Sequence, residues 1–258
     1  MEIDDVKRVE AGSGAAKTGA AGTGAAKTGA AKAGAAKTGP AITAAPQASA
    51  PPTGAVELLE LDLALTEVEP PTARRVLAAA VVAFAARGYH ATSTRDIAAQ
   101  AGLSPAGVYV HFRSKEELLH RISLIGTRQS QEAVRAADSA AGSPTARLRE
   151  VISVLAARTA RYHTTGRVIE YELGSLDKAH YSEIATLRRD IESCVRQILE
   201  DGVKAGEFEV DDVPATVVAL LSLTVDIARW YHTGGRRSPE EIGALYADLA
   251  VRMVRVIA

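Results

Sequence analysis

The 258-residue chain has one cysteine, one tryptophan and three phenylalanines, and it has no apolar run near the roughly 20 residues that a membrane-spanning helix needs. With Cys194 alone no disulfide can form within the chain, and nothing points to an oxidising compartment; the thiol reads as an ordinary helix residue. The opening Met-Glu-Ile-Asp-Asp is acidic where a secretory signal would be basic, so a cytoplasmic protein without a membrane partner is expected. Catalytic patterns are missing too. There is no Gly-rich phosphate loop and no metal-ligand spacing, and His90, His111, His120, His163, His180 and His232 lie apart from any Ser or Cys in motif context. His163 with Glu170 and Glu172 could be drawn as an acid–base site, but most helical proteins allow such a drawing. An enzyme is not expected, and neither a cofactor nor a metal is called for.

What the chain does have is helix-forming sequence. Strand-like alternation is scarce, whereas Ala, Leu, Arg and Glu recur at helical spacing, so an all-α fold is expected. Charge is segregated beneath a net value of −1. Residues 71–122 carry seven basic groups (Arg74, Arg75, Arg87, Arg95, Arg113, Lys115, Arg121) against Asp96, Glu116 and Glu117, an excess suited to neutralising phosphates.

Within that basic stretch, residues 93–119 encode two short helices and the cap of a third. Ser93 with Asp96 three positions on is an N-cap signature; Ile97, Ala98 and Ala101 follow at helical spacing, and Gly102 ends the segment. Ser104 is a second N-cap and Pro105 sits where a missing N–H costs nothing. Val108 and Phe112, four apart, point to the core, which leaves Ala106, Gly107, Tyr109 and Val110 outward. Ser114 with Glu117 caps the third helix. Two helices joined by a tight Gly-containing turn form the helix-turn-helix that sets a recognition helix in the major groove.

Preceded by Arg75 to Thr92, this run resembles the N-terminal domain of the TetR (tetracycline-repressor) family. The landmarks are Ala80, Phe84, Gly88, Thr92, Arg95, Ile97, Ala98, Ala101, Gly102, Ser104, Tyr109, His111, Phe112, Ser114, Lys115 and Leu118, spread over three helices. The resemblance implies about nine helices in two parts: a DNA-binding domain over residues 71–120 and a helical effector-binding and dimerisation domain over 121–258. It also implies a homodimer, formed through the last two long helices in a four-helix arrangement, on a palindromic double-stranded operator. Thr92, Ser93, Thr94, Arg95, Ser104, Pro105, Ala106, Gly107, Tyr109, His111 and Lys115 are the DNA-binding candidates, with Thr92, Tyr109 and Lys115 assigned to phosphates and Arg95, Ala106 and Gly107 to base edges. The chain departs from the common pattern at Pro105, Ala106 and Gly107, which offer only methyl and backbone contacts, so specificity should lean on thymine methyls and DNA shape.

Residues 1–70 read differently. Residues 14–38 are five Gly-Ala-Ala pentads, poor in large apolar groups, and Pro40, Pro46, Pro51 and Pro52 follow; a disordered tail is expected. Its Lys17, Lys27, Lys32 and Lys37 could graze phosphates, or the tail could be a solvated linker. The acidic segment 56–69 fits a short extra helix, or a stretch whose five carboxylates compete with DNA for the basic domain.

In the body, helices are expected over about 115–138, 145–163, 167–176, 181–205, 213–232 and 238–257, with a break at Thr164, Thr165 and Gly166. Val217 to Trp230 is apolar on nearly every face and must be covered on both sides, by the core alone or by the core and a partner. Tyr162, His163, Arg167, Tyr171 and Trp230 are the ligand-pocket candidates; Glu170 and Tyr231 lie near them, and Arg161 and Arg167 are placed for an anion. The stretch from Arg229 to Ala250 resembles family members that control lipid, fatty-acid and steroid breakdown and respond to acyl-CoA thioesters. The function implied is a repressor released by a small-molecule effector such as an acyl-CoA; the alternative is an architectural DNA-binding protein with no effector.

Overall fold

The computed structural model describes Leu65 and residues 68–254 except 141, so the tail and most of the acidic segment lie outside the described residues. Nine α-helices and no strand are found among the described residues: α1 Pro71–Arg87, α2 Thr94–Gln100, α3 Pro105–Tyr109, α4 Lys115–Ala140, α5 Pro144–Arg161, α6 His163–Glu172, α7 Lys178–Lys204, α8 Val213–Trp230 and α9 Pro239–Val254. A 3₁₀ turn, Leu173–Ser175, joins α6 to the loop before α7.

Local chemistry sets most of the helix starts. Ser93, Ser104, Ser143, Asp177 and Asp212 each accept a hydrogen bond from a backbone N–H in the following first turn, which satisfies donors that have no intrahelical partner. Pro71, Pro105, Pro144, Pro214 and Pro239 stand in first turns, where their fixed φ suits a helix and their missing N–H removes nothing.

Several boundaries differ from the sequence expectation, α7 for one starting at Lys178, directly after its cap Asp177. The α5–α6 break falls at Tyr162 (φ −108°, ψ 34°), and Thr164, Thr165 and Gly166 are helical. Tertiary packing overrides their weak propensity: Thr165, Val168 and Ile169 are buried, and a Cβ on Gly166 would lie 3.4 Å from that of Ala228, so α6 passes close to α8. The helix expected to reach residue 232 ends at Trp230, with Tyr231 extended.

The apolar interior is divided. A lower cluster joins Val76, Leu77, Val81, Phe84, Ile97 and Val108 of the first three helices to Leu118, Leu119 and Ile122 of α4, and continues into Val168, Ile169 and Ile184 of the body. The N-terminal three-helix unit therefore has no core of its own separate from α6 and α7. An upper cluster gathers Val134, Leu148, Val151, Ile152, Leu155, Ile198, Leu199, Leu220 and Val251, while Ala156, Ala160, Ile227 and Ile242 form a third. Helix α8 buries Val217, Leu220, Thr224, Ile227 and Ala228 on one face and leaves Val218, Leu223, Val225 and Trp230 exposed on the other. It is the one described helix long and apolar enough to cross a membrane, yet Asp226 and Arg229 pair on it and its buried face belongs to the core.

Candidate nucleic-acid interface and interior polar site

The α2–α3 unit is built from its caps outward. Ser93 and Asp96 form a full capping box: Asp96 N–H donates to Ser93 Oγ (3.2 Å), and Ser93 N–H donates to Asp96 Oδ2 (2.8 Å). The Ser93 hydroxyl, which donates to Asp96 Oδ2 at 2.7 Å, and then the Ser93 N–H hold the Asp96 carboxyl below its ordinary pKa, with a smaller contribution from Arg87. Gly102, at φ +66°, makes the turn, and Gly107 N–H donates to Ser104 Oγ at 3.1 Å to start α3. Val108 is fully buried and Phe112 nearly so, which turns the opposite face of α3 to solvent.

On that outward surface lie Ser93, Arg95, Ser104, Pro105 and Ala106, all exposed, with Thr94 and Gly107 half-buried beside them and Tyr109 half exposed. His111 is half-buried behind α3. Thr92 requires a correction. Its side chain is buried and its hydroxyl lies 2.8 Å from Gly88 O and 3.1 Å from Ala83 O, so it closes the α1–α2 turn instead of reaching a phosphate. Lys115 is likewise turned inward: Nζ donates to Tyr89 O (2.7 Å) and Thr92 O (2.8 Å) and sits 4.1 Å from the centre of the Tyr89 ring. Two of its three donors thus tie the start of α4 to the α1–α2 turn.

The same turn is anchored to the body. Tyr89 N–H donates to Glu172 Oε1 at 3.0 Å, which joins the DNA-reading unit to the end of α6, while α4 runs unbroken from that unit into the body for 26 residues, about 39 Å. Rotation of α4 or α6 would therefore move the recognition helix.

A polar band interrupts the core where the lower and upper apolar clusters would otherwise meet. Ser123, Thr127 and Gln131 are buried at successive four-residue steps of α4, one face of the helix. Ser123 Oγ is buried without a hydrogen-bond partner, and Gln131 donates to Asp190 Oδ2 of α7 at 2.5 Å. Arg158 reaches α4 from α5 at Gln129, which is two residues from Thr127 and so on another face of the helix. Its Nε is buried with no partner, its Nη2 donates to Gln129 Oε1 at 3.4 Å, and its guanidinium lies 5.2 Å from the Tyr162 ring. No carboxylate pairs with it among the described residues, and burial lowers its pKa. Sequence reasoning missed Arg158. It follows Val151 by seven positions and Leu155 by three, on the stripe that α5 buries, and that phase was the available signal.

The expected pocket residues divide. Tyr162 and His163 sit together at the α5–α6 break; His163 is buried, with Nδ1 3.0 Å from Ala160 O and its ring edge-on to Tyr231 at 5.4 Å. Arg167 is half-buried one turn along α6. Tyr171 and Trp230 are corrected: at 63% and 45% exposure they lie on the outer surface, since their helical phase faces away from the interior. Arg161 pairs with Glu240 of α9, and Glu170 with Arg188 of α7. Cys194 is half-buried, and burial pushes its thiol up to about 11.

Known proteins share this arrangement. Residues 76–122 match the tetR family of bacterial regulatory proteins, and residues 141–254 match a tetracyclin repressor-like C-terminal domain. The HTH-type transcriptional repressor KstR2 of Mycolicibacterium smegmatis is 30% identical over 193 residues, which span 70% of this chain and 90% of that protein. A tetR-family regulatory protein from Rhodococcus RHA1 has a TM-score of 0.69 at 38% identity, over 73% of this chain and 100% of that one. AibR, solved in complex with isovaleryl coenzyme A and operator DNA, shares the fold with a TM-score of 0.63 at 24% identity, over 71% of this chain and 98% of that one. The chain belongs to the TetR family of bacterial transcriptional regulators.

Proposed function

We propose that this protein represses transcription in the cytoplasm as a two-fold dimer on a palindromic operator, and that an anionic amphiphile, an acyl-CoA or a related lipid or steroid acid, seats beside Arg158 and releases it. Residues 71–120 form the reading domain and 121–258 the effector and dimerisation domain. The observation that carries the effector class is the half-buried Arg158 guanidinium, which faces α4 with its Nε buried and unpartnered and with no carboxylate in ion-pair contact among the described residues. A half-buried cation in that state favours an incoming anion, and its planar fork suits carboxylate or phosphate oxygens. Apolar clusters above and below the polar band offer surface for an acyl chain or ring system, with Tyr162 and His163 at its side. AibR, of the same fold, accommodates isovaleryl coenzyme A.

Ser93, Thr94, Arg95, Ser104, Pro105, Ala106, Gly107 and Tyr109 form the DNA-facing surface. Two such surfaces would enter successive major grooves about 34 Å apart. Ligand seated against α4 and α5 would shift α4, and through the Lys115 and Glu172 anchors the recognition helices. A coupling of about 1–3 kcal/mol corresponds to a roughly 5- to 150-fold loss of operator affinity.

Fluorescence anisotropy with an operator selected from genomic fragments tests this reading. Full-length protein is expected to protect one discrete palindrome and to lose it on addition of acyl-CoAs of one length class. Arg158→Met should keep operator affinity within about threefold yet need at least tenfold more ligand for release. Length-proportional coating of any DNA would overturn the repressor reading, and unchanged release in Arg158→Met would overturn the effector site.

A further inference from the structure

The first turns of α4 and α7 bring five potential ligand side chains together at a distance from Arg158. Helix α4 supplies Glu116 and His120, four apart on one face. Asp177, the N-cap of α7, His180 and Glu183 follow one another at three-residue steps. Their pairing is crossed between the helices: His180 Nδ1 lies 2.8 Å and 3.0 Å from the two Glu116 oxygens, and His120 Nε2 lies 2.8 Å from Glu183 Oε2. The two imidazoles stack at 3.7 Å between centroids and 9° between planes, so each ring fixes the orientation of the other. Asp177 Oδ2 is 3.3 Å from His180 Nδ1, and one ligand atom from each of Glu116, Asp177 and His180 falls within 4.8 Å of the others.

We propose that His180 Nδ1, Glu116 and Asp177 bind a divalent transition metal ion of the zinc or nickel type, and that the ion clamps the start of α4 to the start of α7. The donor set of one imidazole and two carboxylates suits such ions, and no thiolate is present to select a softer one. Metal–ligand bonds of about 2.0–2.2 Å place tetrahedral ligand atoms about 3.3 Å apart. The 3.3 Å separation of Asp177 Oδ2 from Nδ1 already matches, and the 2.8 Å separation of Glu116 Oε1 needs to open by only about half an ångström. His180 Nδ1 would give up any proton it carries to accept the ion. Glu116 is oriented for the role, because Oε1 also accepts from Asp177 N–H at 3.1 Å. His120, paired with Glu183 and stacked on His180, holds the ligand ring in plane, and water completes the coordination. An open cleft of about 730 Å³, lined by Glu116, His120 and His180 among others, gives access from solvent. Sequence spacing could not reveal this set, since Glu116 and His180 are 64 positions apart and meet only through the α4–α7 packing.

Isothermal titration of untagged, chelator-treated full-length protein with Zn²⁺ and with Ni²⁺, followed by thermal melts, tests the site. One ion per chain and a raised melting temperature are expected. His180→Ala should abolish this binding, while His232→Ala, altering an exposed histidine elsewhere, should leave it intact. Asp177→Asn retains the N-cap of α7 and should weaken the metal by about tenfold or more, as a lost ligand charge would. Absence of saturable binding, or equal binding by His180→Ala and the unaltered chain, would overturn the site; Asp177→Asn guards against a folding defect being read as lost metal.

Discussion

Gly102 illustrates how much one residue decides in the DNA-reading unit. It holds φ at +66° between α2 and α3, and a Cβ there would meet nothing within 4 Å. The whole cost of a side chain is therefore backbone strain, about 1–2 kcal/mol for a non-glycine residue in the left-handed region. Gly102→Ala is expected to lower the melting temperature by several degrees, a shift of about 2–4 °C per kcal/mol for a domain of this size, and to weaken operator binding by tilting α3; a variant that melts with the parent would show the turn to be adaptable. That glycine was legible in the sequence because its requirement is local, as were the caps Ser93 and Ser104. Arg158 was not. Arg158, Arg161 and Arg167 are chemically alike in the sequence, and only the rotation of α5 sends the first inward and pairs the second with Glu240. Thr92 was misread for a related reason: it matches the family landmark, but its hydroxyl is occupied by the carbonyls of Ala83 and Gly88.

Among the elements, α5 and α9 pack against each other most extensively. Helix α9 buries Ile242, Gly243, Ala247, Ala250, Val251 and Val254, and its Ile242 shares an apolar cluster with Ala156 and Ala160 of α5. A Cβ on Gly243 would stand 2.6 Å from the Ser153 carbonyl oxygen and 3.1 Å from Ala157 Cβ. Because the first of these is backbone, a rotamer change cannot relieve it. Gly243→Val should destabilise by about 1–3 kcal/mol or more through overpacking, read as a lower urea midpoint with an unchanged slope. A midpoint equal to that of the parent would mean that α9 can slide off α5 freely. The existence of these helices follows from periodicity and caps, whereas the closeness of their crossing depends on which small residues face each other across about ninety positions of chain. The break at Tyr162 has the same origin: propensity favours Thr164 to Gly166, and the burial of Thr165 and the close passage of α6 over Ala228 reverse that preference.

At the scale of the whole molecule, the face of α8 that one chain leaves open is the remaining question of assembly. Val218, Leu223, Val225 and Trp230 of α8 and Leu249 and Met253 of α9 are each 39% or more exposed. Two long helices that both pack on α5 and carry apolar outer residues cannot both be left to water at small cost, because each large side chain returned to an apolar environment is worth about 1.5–3 kcal/mol. A second copy related by a two-fold axis would cover both stripes at once, since a self-complementary patch closes without further copies. The sequence had already posed this choice, as α8 is apolar all round, but whether core or partner covers its second face is answerable only once the folded chain shows which residues the core has used. Leu223→Glu places a charge in that face without touching the buried Val217, Leu220 and Ile227. Light scattering after size exclusion is expected to give monomers where the parent gives dimers, with helical circular dichroism retained. Loss of the two-fold should then weaken palindrome binding by at least about a hundredfold, because each half-site would have to be held independently instead of at a high effective concentration. A Leu223→Glu protein that stays dimeric would show that the partner sits elsewhere, and the exposed stripe of α8 would need another occupant.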